Sequence, residues 1–267
     1  MNNQSALPIV SVPHSSLPQP HLTLIKDGER PVRLKKDGTP DRRRSNAKTG
    51  KSTEVYAFKT LEEINAMNSV FDRRIANSLG NDRQTECRNK LLFNIGINIG
   101  LRVSDLRLLK WSFFFDENDM FKDMETLMPK KQRKQKKIVK VFCNANVEEA
   151  IEQYISQYPI KDLNDYLFYS NQTKEPLLEK SIYSIIKSAA KEAGIQQNIG
   201  SHSLRKTFGY WAWHLSNDKE ATLVKLSHIF KHSDLTTTRK YIGILDTDLQ
   251  EVYDSLDFGE DYLNQLE

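Results

Sequence analysis

The sequence contains few cysteines and no long apolar run. Only two of its 267 residues are cysteine, Cys87 and Cys143, and they form no C-x-x-C pair. We therefore expect no disulfide framework, a reducing compartment, and two small buried hydrophobic side chains. No apolar run approaches the ~20 residues that a membrane span requires, and the first residues lack the basic start and apolar stretch of a secretory signal. These absences predict a cytoplasmic protein.

The sequence also has no glycine-rich phosphate loop, no internal repeat and no H-E-x-x-H motif. His228 and His232 are four residues apart, which suits a pair of zinc ligands, but no further ligand set accompanies them. We therefore expect neither a metal site nor a cofactor.

Positive and negative charges are segregated along the chain. The net charge is +4, but residues 242–267 hold eight acidic residues and no lysine or arginine, so residues 1–241 carry +12. Residues 26–51 contain ten basic residues against four acidic ones, and residues 130–140 contain seven against none. Because basic side chains that neutralise phosphates release counterions, this distribution favours a nucleic-acid partner over a solvated surface.

Proline content and hydrophobic patterning divide the chain into three parts. Six of the nine prolines lie in the first 40 residues without helical or alternating apolar spacing, which predicts an extended basic arm over residues 1–54. A folded domain is predicted over residues 55–256. Within residues 245–267, an acidic amphipathic stretch with leucine and valine on one face forms a candidate docking segment, which would bind either a neighbouring protomer or its own chain.

Helical periodicity and capping residues predict a mainly α fold with a small antiparallel β-sheet. A capping box at residues 60–63 begins the first helix, and Gly100 ends the second, which covers residues 83–99. Alternation in residues 138–142 indicates one or two β-hairpins between Phe113 and Cys143. Further helices are predicted over residues 104–111, 146–158 with Asn146 at its start, 178–193, 203–215, 219–230 and 235–243.

Three short motifs carry side chains suited to phosphate chemistry. A glycine ends one helix where the next begins, which puts Arg102 at a helix entry, where a guanidinium and free N–H groups can bind phosphate together. His202 and Arg205 are three residues apart at a helix start, so both project the same way. His232 precedes Tyr241 by nine residues, across a turn and a threonine-rich helix start.

These motifs, G-L-R-V-S-D, H-S-L-R and F-K-H-S followed by Tyr241, resemble those of the tyrosine recombinase (phage integrase) family in order and spacing. Asp105 stands where the family has glutamate, and a shorter carboxylate can still support an arginine such as Arg102. Phe230 and Lys231 replace Leu-Gly. The resemblance implies the fold of the recombinase catalytic core over the folded domain. We expect the basic arm to stand in place of the helical core-binding domain that usually precedes it.

The resemblance implies a site-specific DNA recombinase that integrates, excises or inverts a DNA element. Tyr241 would attack phosphorus to give a 3′-phosphotyrosyl intermediate, while Arg102 and Arg205 bind the non-bridging oxygens. His202 would assist proton transfer at the tyrosine oxygen, and His232 would donate a hydrogen bond to the phosphate. Because the covalent link keeps the bond energy, neither ATP nor a metal is required. The implied partners are double-stranded DNA, a homotetramer formed on it, and an accessory DNA-bending protein.

In this family, a lysine in a β-hairpin turn protonates the leaving 5′ oxygen. Alignment with the family pattern selects Lys134, with Lys131 as its rival. Neighbouring basic residues and the arginine cluster of the arm are predicted phosphate contacts, namely Lys130, Lys131, Arg133, Lys136, Arg42, Arg43 and Arg44.

Other residues and whole-protein functions have less specific interpretations. His214 is expected to be a packed or surface histidine rather than a ligand. The neighbouring aromatic residues are expected to belong to the core rather than to stack on bases. Tyr253 and Tyr262 are alternative nucleophiles by residue type, but neither follows a histidine by nine residues. A type IB topoisomerase and a non-catalytic DNA-binding protein with the same fold are the alternative functions.

Overall fold

The computed structural model describes residues 54–129, 138–244 and Tyr253. These residues form eight α-helices, two β-strands and one short 3-10 helix, Trp111–Phe113, which follows α3. The order is α1 Leu61–Ala76, α2 Gly80–Ile99, α3 Val103–Leu106, β1 Met124–Leu127, β2 Val139–Phe142, α4 Ala145–Ile155, α5 Glu179–Glu192, α6 Ser201–His214, α7 Lys219–Phe230 and α8 Leu235–Ile242. The predicted mainly α fold with a small antiparallel sheet is confirmed.

Three predicted features lie outside the described residues: almost all of the basic arm, the lysine-rich run over residues 130–137, and the acidic C-terminal segment apart from Tyr253. Within the described ranges, no helix combines the length and apolar character that crossing a membrane requires.

Local capping groups begin and end several helices at the predicted positions. The Thr60 hydroxyl accepts a hydrogen bond from the Glu63 N–H at 3.2 Å, and the Glu63 carboxylate accepts one from the Thr60 N–H, which completes the capping box of α1. Gly100 ends α2 in the left-handed region at φ 61°. The predicted bounds of α7 are confirmed, and the other helix ends differ from prediction by up to three residues, apart from the helix predicted over residues 104–111. Caps are local signals, because they satisfy the free N–H and C=O groups of a single helix end.

The helix predicted over residues 104–111 is wrong beyond Leu106. The backbone N–H groups of Trp111 and Ser112 donate to the carbonyls of Asp165 and Leu163, at 3.2 and 2.7 Å. Pairing with a segment some fifty residues later satisfies these backbone groups and replaces the continuation of the helix.

The residue predicted to cap α4 is also wrong. Asn144 caps the helix, because its Oδ1 accepts a hydrogen bond from the Val147 N–H at 3.1 Å. Asn146 lies in the first turn and donates instead to Oδ1 of Asn98 at 3.2 Å. Asn144 and Asn146 are both suited by residue type to cap a helix. Asn144 is the cap because its backbone is extended, as a capping position requires.

The two strands form one antiparallel pair. Met124 lies opposite Phe142, and Leu127 lies opposite Val139. This register confirms an antiparallel pair of strands in the region where one or two hairpins were predicted.

Two hydrophobic clusters hold the described helices together, and α6 belongs to both. The larger cluster joins α1, α2, α4 and α5 to Leu204 of α6. The smaller one joins Tyr210 of α6 to Phe230 of α7 and Ile242 of α8. Gly209 permits close contact at the smaller cluster, because a Cβ there would lie 2.5 Å from Cγ2 of Ile242 and 2.8 Å from the Phe230 ring. The helix that carries Arg205 is therefore packed tightly against the two that carry Phe230 and Tyr241.

The predicted burial of Cys87 and the predicted packing of the aromatic side chains are confirmed, whereas the burial predicted for Cys143 is only partial. Cys87 is buried and Cys143 is partly buried, and burial raises the pKa of both thiols, that of Cys143 to about 11. His214 stacks on the Tyr210 ring with centroids 5.5 Å apart. The neighbouring aromatic side chains pack against the smaller cluster, namely Phe208, Trp211 and Trp213.

Candidate active site

Arg102 lies in the turn between α2 and α3. Gly100 shapes this turn, because its φ is positive and a Cβ there would lie 2.4 Å from the Phe208 ring. The Nη2 of Arg102 donates a hydrogen bond to the backbone carbonyl of Phe230 at 3.0 Å, although the two residues are 128 positions apart. Since α3 has only four residues, the expected anion site rests on the arginine side chain rather than on a helix end.

Arg205 is buried on α6 with one guanidinium nitrogen unpaired. Its Nη1 donates to the Gly100 carbonyl, and its Cζ lies 4.3 Å from the centroid of the Phe230 ring. Its Nη2 is inaccessible to solvent and makes no hydrogen bond of normal geometry among the described residues, although the guanidinium lies close enough to the Tyr241 hydroxyl to affect its pKa. Burial, with the charge of Arg102, lowers the pKa of Arg205 to about 10, while Tyr241 and then Asp105 oppose the decrease, so the guanidinium stays protonated at neutral pH. A buried cationic donor without an acceptor is costly, which indicates that an anion belongs there.

His202 lies in the first turn of α6, one turn before Arg205. Its side chain is exposed, whereas Arg205 is 5% exposed. The sequence predicts that the two side chains project the same way. In the structure the two side chains differ in solvent exposure. The start of α6 therefore carries an accessible histidine one turn before a buried arginine.

The rings of His232 and Tyr241 contact each other at the junction of α7 and α8. Their centroids lie 5.1 Å apart at an interplanar angle of 72°, and the Phe230 ring lies 5.4 Å and 5.3 Å from them. Asp234 begins α8, its carboxylate accepting the Thr237 N–H at 2.6 Å, and this turn of helix brings Tyr241 back to His232.

Burial and nearby arginines set the protonation of both rings. Burial raises the pKa of the Tyr241 phenol, while the charges of Arg205 and Arg102 oppose that increase. The arginine charges favour the phenolate, but burial outweighs them, so the resting phenol is neutral. For His232, burial and then the charges of Arg205 and Arg102 lower the pKa, with Asp234 opposing, so the imidazole is neutral near pH 7.

Lys206 is a neighbour of Tyr241 that the sequence did not single out. Its ammonium lies 5.5 Å from the centroid of the Tyr241 ring and forms an ion pair with Glu54 at 3.0 Å. The side chain is only 9% exposed. Lys206 directly follows Arg205, but in sequence it is indistinguishable from a surface lysine.

The structure brings four of the predicted side chains together around Phe230: those of Arg102, Arg205, His232 and Tyr241. Lys134 and all the predicted phosphate contacts lie outside the described residues. Of the rival nucleophiles, Tyr253 has an exposed side chain, and Tyr262 lies outside the described residues.

Comparison with known proteins shows the family of this chain. Residues 60–247 match the Phage integrase family. The probable integrase/recombinase YoeC of Bacillus subtilis is 33% identical over 168 residues, which cover 62% of this chain and 83% of YoeC. The tyrosine recombinase XerC of Staphylococcus aureus is 24% identical over 196 residues, which cover 73% of this chain and 59% of XerC. The chain belongs to the phage integrase family, the tyrosine recombinases.

Solved structures show the same fold. The XerA recombinase superposes with a TM-score of 0.54 at 22% identity, covering 84% of this chain and 68% of XerA. A post-cleavage complex of the XerH recombinase with its difH substrate gives a TM-score of 0.53 at 24% identity, covering 76% of this chain and 53% of XerH. This chain thus spans little more than half the length of XerC and XerH, and most of YoeC.

Proposed function

We propose that this protein is a site-specific recombinase that cuts and rejoins double-stranded DNA through a covalent bond between Tyr241 and a 3′-phosphate. The observation that carries the proposal is the buried Nη2 of Arg205, which makes no hydrogen bond of normal geometry among the described residues and lies in the site that holds Tyr241. A phosphodiester provides the missing anion next to an oxygen nucleophile. The family membership supports the same reaction.

In the proposed reaction, the phenol oxygen of Tyr241 attacks phosphorus, and the bond from phosphorus to the 5′ oxygen breaks. Arg102 and Arg205 bind the non-bridging oxygens, whose negative charge grows in the transition state. His232 donates a hydrogen bond to the same phosphate. His202 takes the phenolic proton, which burial of Tyr241 makes harder to lose in the resting state. Attack by a 5′-hydroxyl on the phosphotyrosyl link reverses these steps and rejoins the strand, so no external energy source is consumed.

Lys134 is our proposed general acid for the leaving 5′ oxygen, with Lys131 as its rival. Both lie in sequence between β1 and β2, and the resemblance to the family puts the acid in a β-hairpin turn. The other basic residues of this run and the Arg42–Arg44 cluster would contact phosphates, which adds affinity and carries little sequence information.

We further propose a homotetramer assembled on DNA, in which the acidic segment over residues 245–267 docks on a neighbouring protomer. The support is its apolar face bordered by acidic residues, which complements a basic partner surface. We also propose an accessory DNA-bending protein as a partner and the cytoplasm as the place of action.

Removing residues 245–267 should impair pairing of two DNA-bound complexes in a synapsis assay. If pairing is as efficient as with the full chain, docking in trans is wrong.

A nicked suicide duplex tests the nucleophile, because loss of the short fragment traps the covalent complex. Tyr241→Phe should abolish the covalent band under denaturing conditions while DNA affinity changes little, since the basic residues supply most of the binding. Tyr253→Phe and Tyr262→Phe are matched controls and should retain the band. A band that survives Tyr241→Phe would overturn the mechanism.

A duplex with sulfur in place of the 5′ bridging oxygen tests the acid, because a thiolate leaves without a proton. Lys134→Ala should fail on the ordinary duplex and cleave the sulfur duplex almost normally. Rescue of Lys131→Ala, without rescue of Lys134→Ala, would transfer the role to Lys131.

A further inference from the structure

The ring of His232 is hydrogen-bonded to a fully buried threonine. Its Nδ1 lies 3.0 Å from Oγ1 of Thr238, which is 0% exposed, six residues later on α8. The same hydroxyl lies 3.4 Å from the backbone carbonyl of Asp234, at the outer limit of a hydrogen bond. The Thr238 hydroxyl has one hydrogen, so it can donate either to His232 or to Asp234.

That choice decides which nitrogen of His232 carries a proton. A neutral imidazole has one N–H, and the hydrogen bond at one nitrogen fixes the state of the other. The imidazole is neutral near pH 7 because burial and the charges of Arg102 and Arg205 disfavour its cation; Asp234 opposes them, and the Tyr241 ring covers one side. If Thr238 donates to Nδ1, then Nε2 carries the proton. If Thr238 donates to Asp234, then Nδ1 carries it and Nε2 presents a lone pair.

We propose that Thr238 is a positioning residue that donates its hydroxyl hydrogen to Nδ1 and so holds His232 with its proton on Nε2. The competing hydrogen bond to the Asp234 carbonyl is long, at 3.4 Å, so donating to Nδ1 gives up little, and the 3.0 Å contact with Nδ1 is kept. Among the described residues, no protein group bonds Nε2, so its N–H is available to a bound anion. The inference rests on the proposed function, in which His232 donates to the scissile phosphate. A lone pair at Nε2 would instead repel a phosphate oxygen.

Ring packing sets the orientation of the His232 imidazole, and a hydrogen bond sets the position of its proton. The rings of Phe230 and Tyr241 contact the imidazole and set its orientation. They offer no hydrogen bond to Nδ1, so the proton position depends on Thr238. This arrangement prepares a neutral donor before DNA arrives, which avoids reorganisation during the reaction.

Nitrogen-15 NMR of the DNA-free protein tests the proton position directly, because protonated and unprotonated ring nitrogens have well separated shifts. The chain has six histidines, and loss of one signal pair in His232→Gln assigns His232. We expect the proton on Nε2 in the unmodified protein and in Thr238→Ser, and a mixture of both forms in Thr238→Val. A proton on Nδ1 in the unmodified protein would overturn the proposal, whether or not any variant folds.

Cleavage of the suicide duplex tests the consequence. Thr238→Val should slow covalent-complex formation about 10- to 100-fold without loss of DNA affinity, since removal of a whole transition-state donor costs about 100- to 1,000-fold. Thr238→Ser should restore the rate to within about 3-fold, because it keeps the donor. Thr236→Val, at an exposed position of the same helix, is the matched control and should not change the rate.

The two measurements separate this inference from the proposed function. If the unmodified protein forms no covalent complex, the recombinase proposal fails, and the NMR result still reports the proton position. If the complex forms and Thr238→Val retains both the rate and the Nε2 proton, the role of Thr238 is wrong.

Discussion

Replacement of Gly209 by alanine should weaken the packing of α6 against α7 and α8, the helices that carry Phe230 and Tyr241. The added methyl would lie 2.5 Å from Cγ2 of Ile242 and 2.8 Å from the Phe230 ring, whereas carbon atoms in contact prefer about 3.5–4.0 Å. Ile242 and Phe230 are both 0% exposed, so neither has free space to move into. Relief of about 1 Å must therefore come from separation of the helices.

The expected loss of stability follows from two opposing contributions. Overpacking of a buried contact typically costs about 1–3 kcal/mol, while alanine is favoured over glycine inside a helix by about 1 kcal/mol. Because three carbon atoms lie within 2.8 Å of the added methyl, we take the upper part of the range, and expect a net destabilisation of about 1–2 kcal/mol. Gly209 also lies one turn after Arg205, so separating the helices should slow covalent-complex formation at least about 10-fold.

Urea unfolding and the suicide duplex measure the two effects. Gly96→Ala on α2 is the comparison variant, because its added methyl would lie 2.7 Å from Cδ1 of Leu204, which is 1% exposed and belongs to the larger cluster. It should also destabilise the fold, but Phe230→Leu should not recover that loss. Phe230→Leu should recover much of the stability lost in Gly209→Ala, which a double-mutant cycle quantifies. If Gly209→Ala is as stable and as active as the unmodified protein, or if the smaller leucine recovers nothing, the close contact does not have the energetic role described.

Three further predictions follow from single residues and one segment. Lys231 ends α7 in the left-handed region at φ 57°, so Lys231→Gly should raise the free energy of unfolding by about 0.5–1 kcal/mol, and an unchanged urea midpoint would contradict this. Because folding lowers the pKa of His232 below its usual 6.5, the unfolded chain binds more protons, and stability should fall as the pH drops below that value. His232→Gln should lose less stability over the same acidification, and an equal loss would assign the effect to other groups. Deleting residues 1–51 should flatten the salt dependence of DNA binding by about three charges, whereas an unchanged slope would make the arm a tether only.

The sequence by itself was sufficient for features that depend on neighbouring residues. The capping box at Thr60 and Glu63, the Asp234 cap and the glycine at position 100 mark helix ends because their hydrogen bonds and backbone angles are local. The spacing of His232 and Tyr241 also identified two side chains that meet in space, because a short turn and two turns of helix separate them. Local geometry therefore made the fold class and most of the motif residues predictable.

Other properties were decided only by contacts between distant parts of the chain. The helix predicted over residues 104–111 stops early because a segment near Asp165 takes its backbone hydrogen bonds. The proximity of Lys206 to Tyr241 depends on how α6 packs against α8, and no local pattern encodes that packing. Burial raises the pKa of Tyr241 more than the arginines lower it, a balance that depends on the depth of the phenol and not on residue identity. Burial and long-range pairing are sums over the whole fold, so the tertiary structure was needed to determine them.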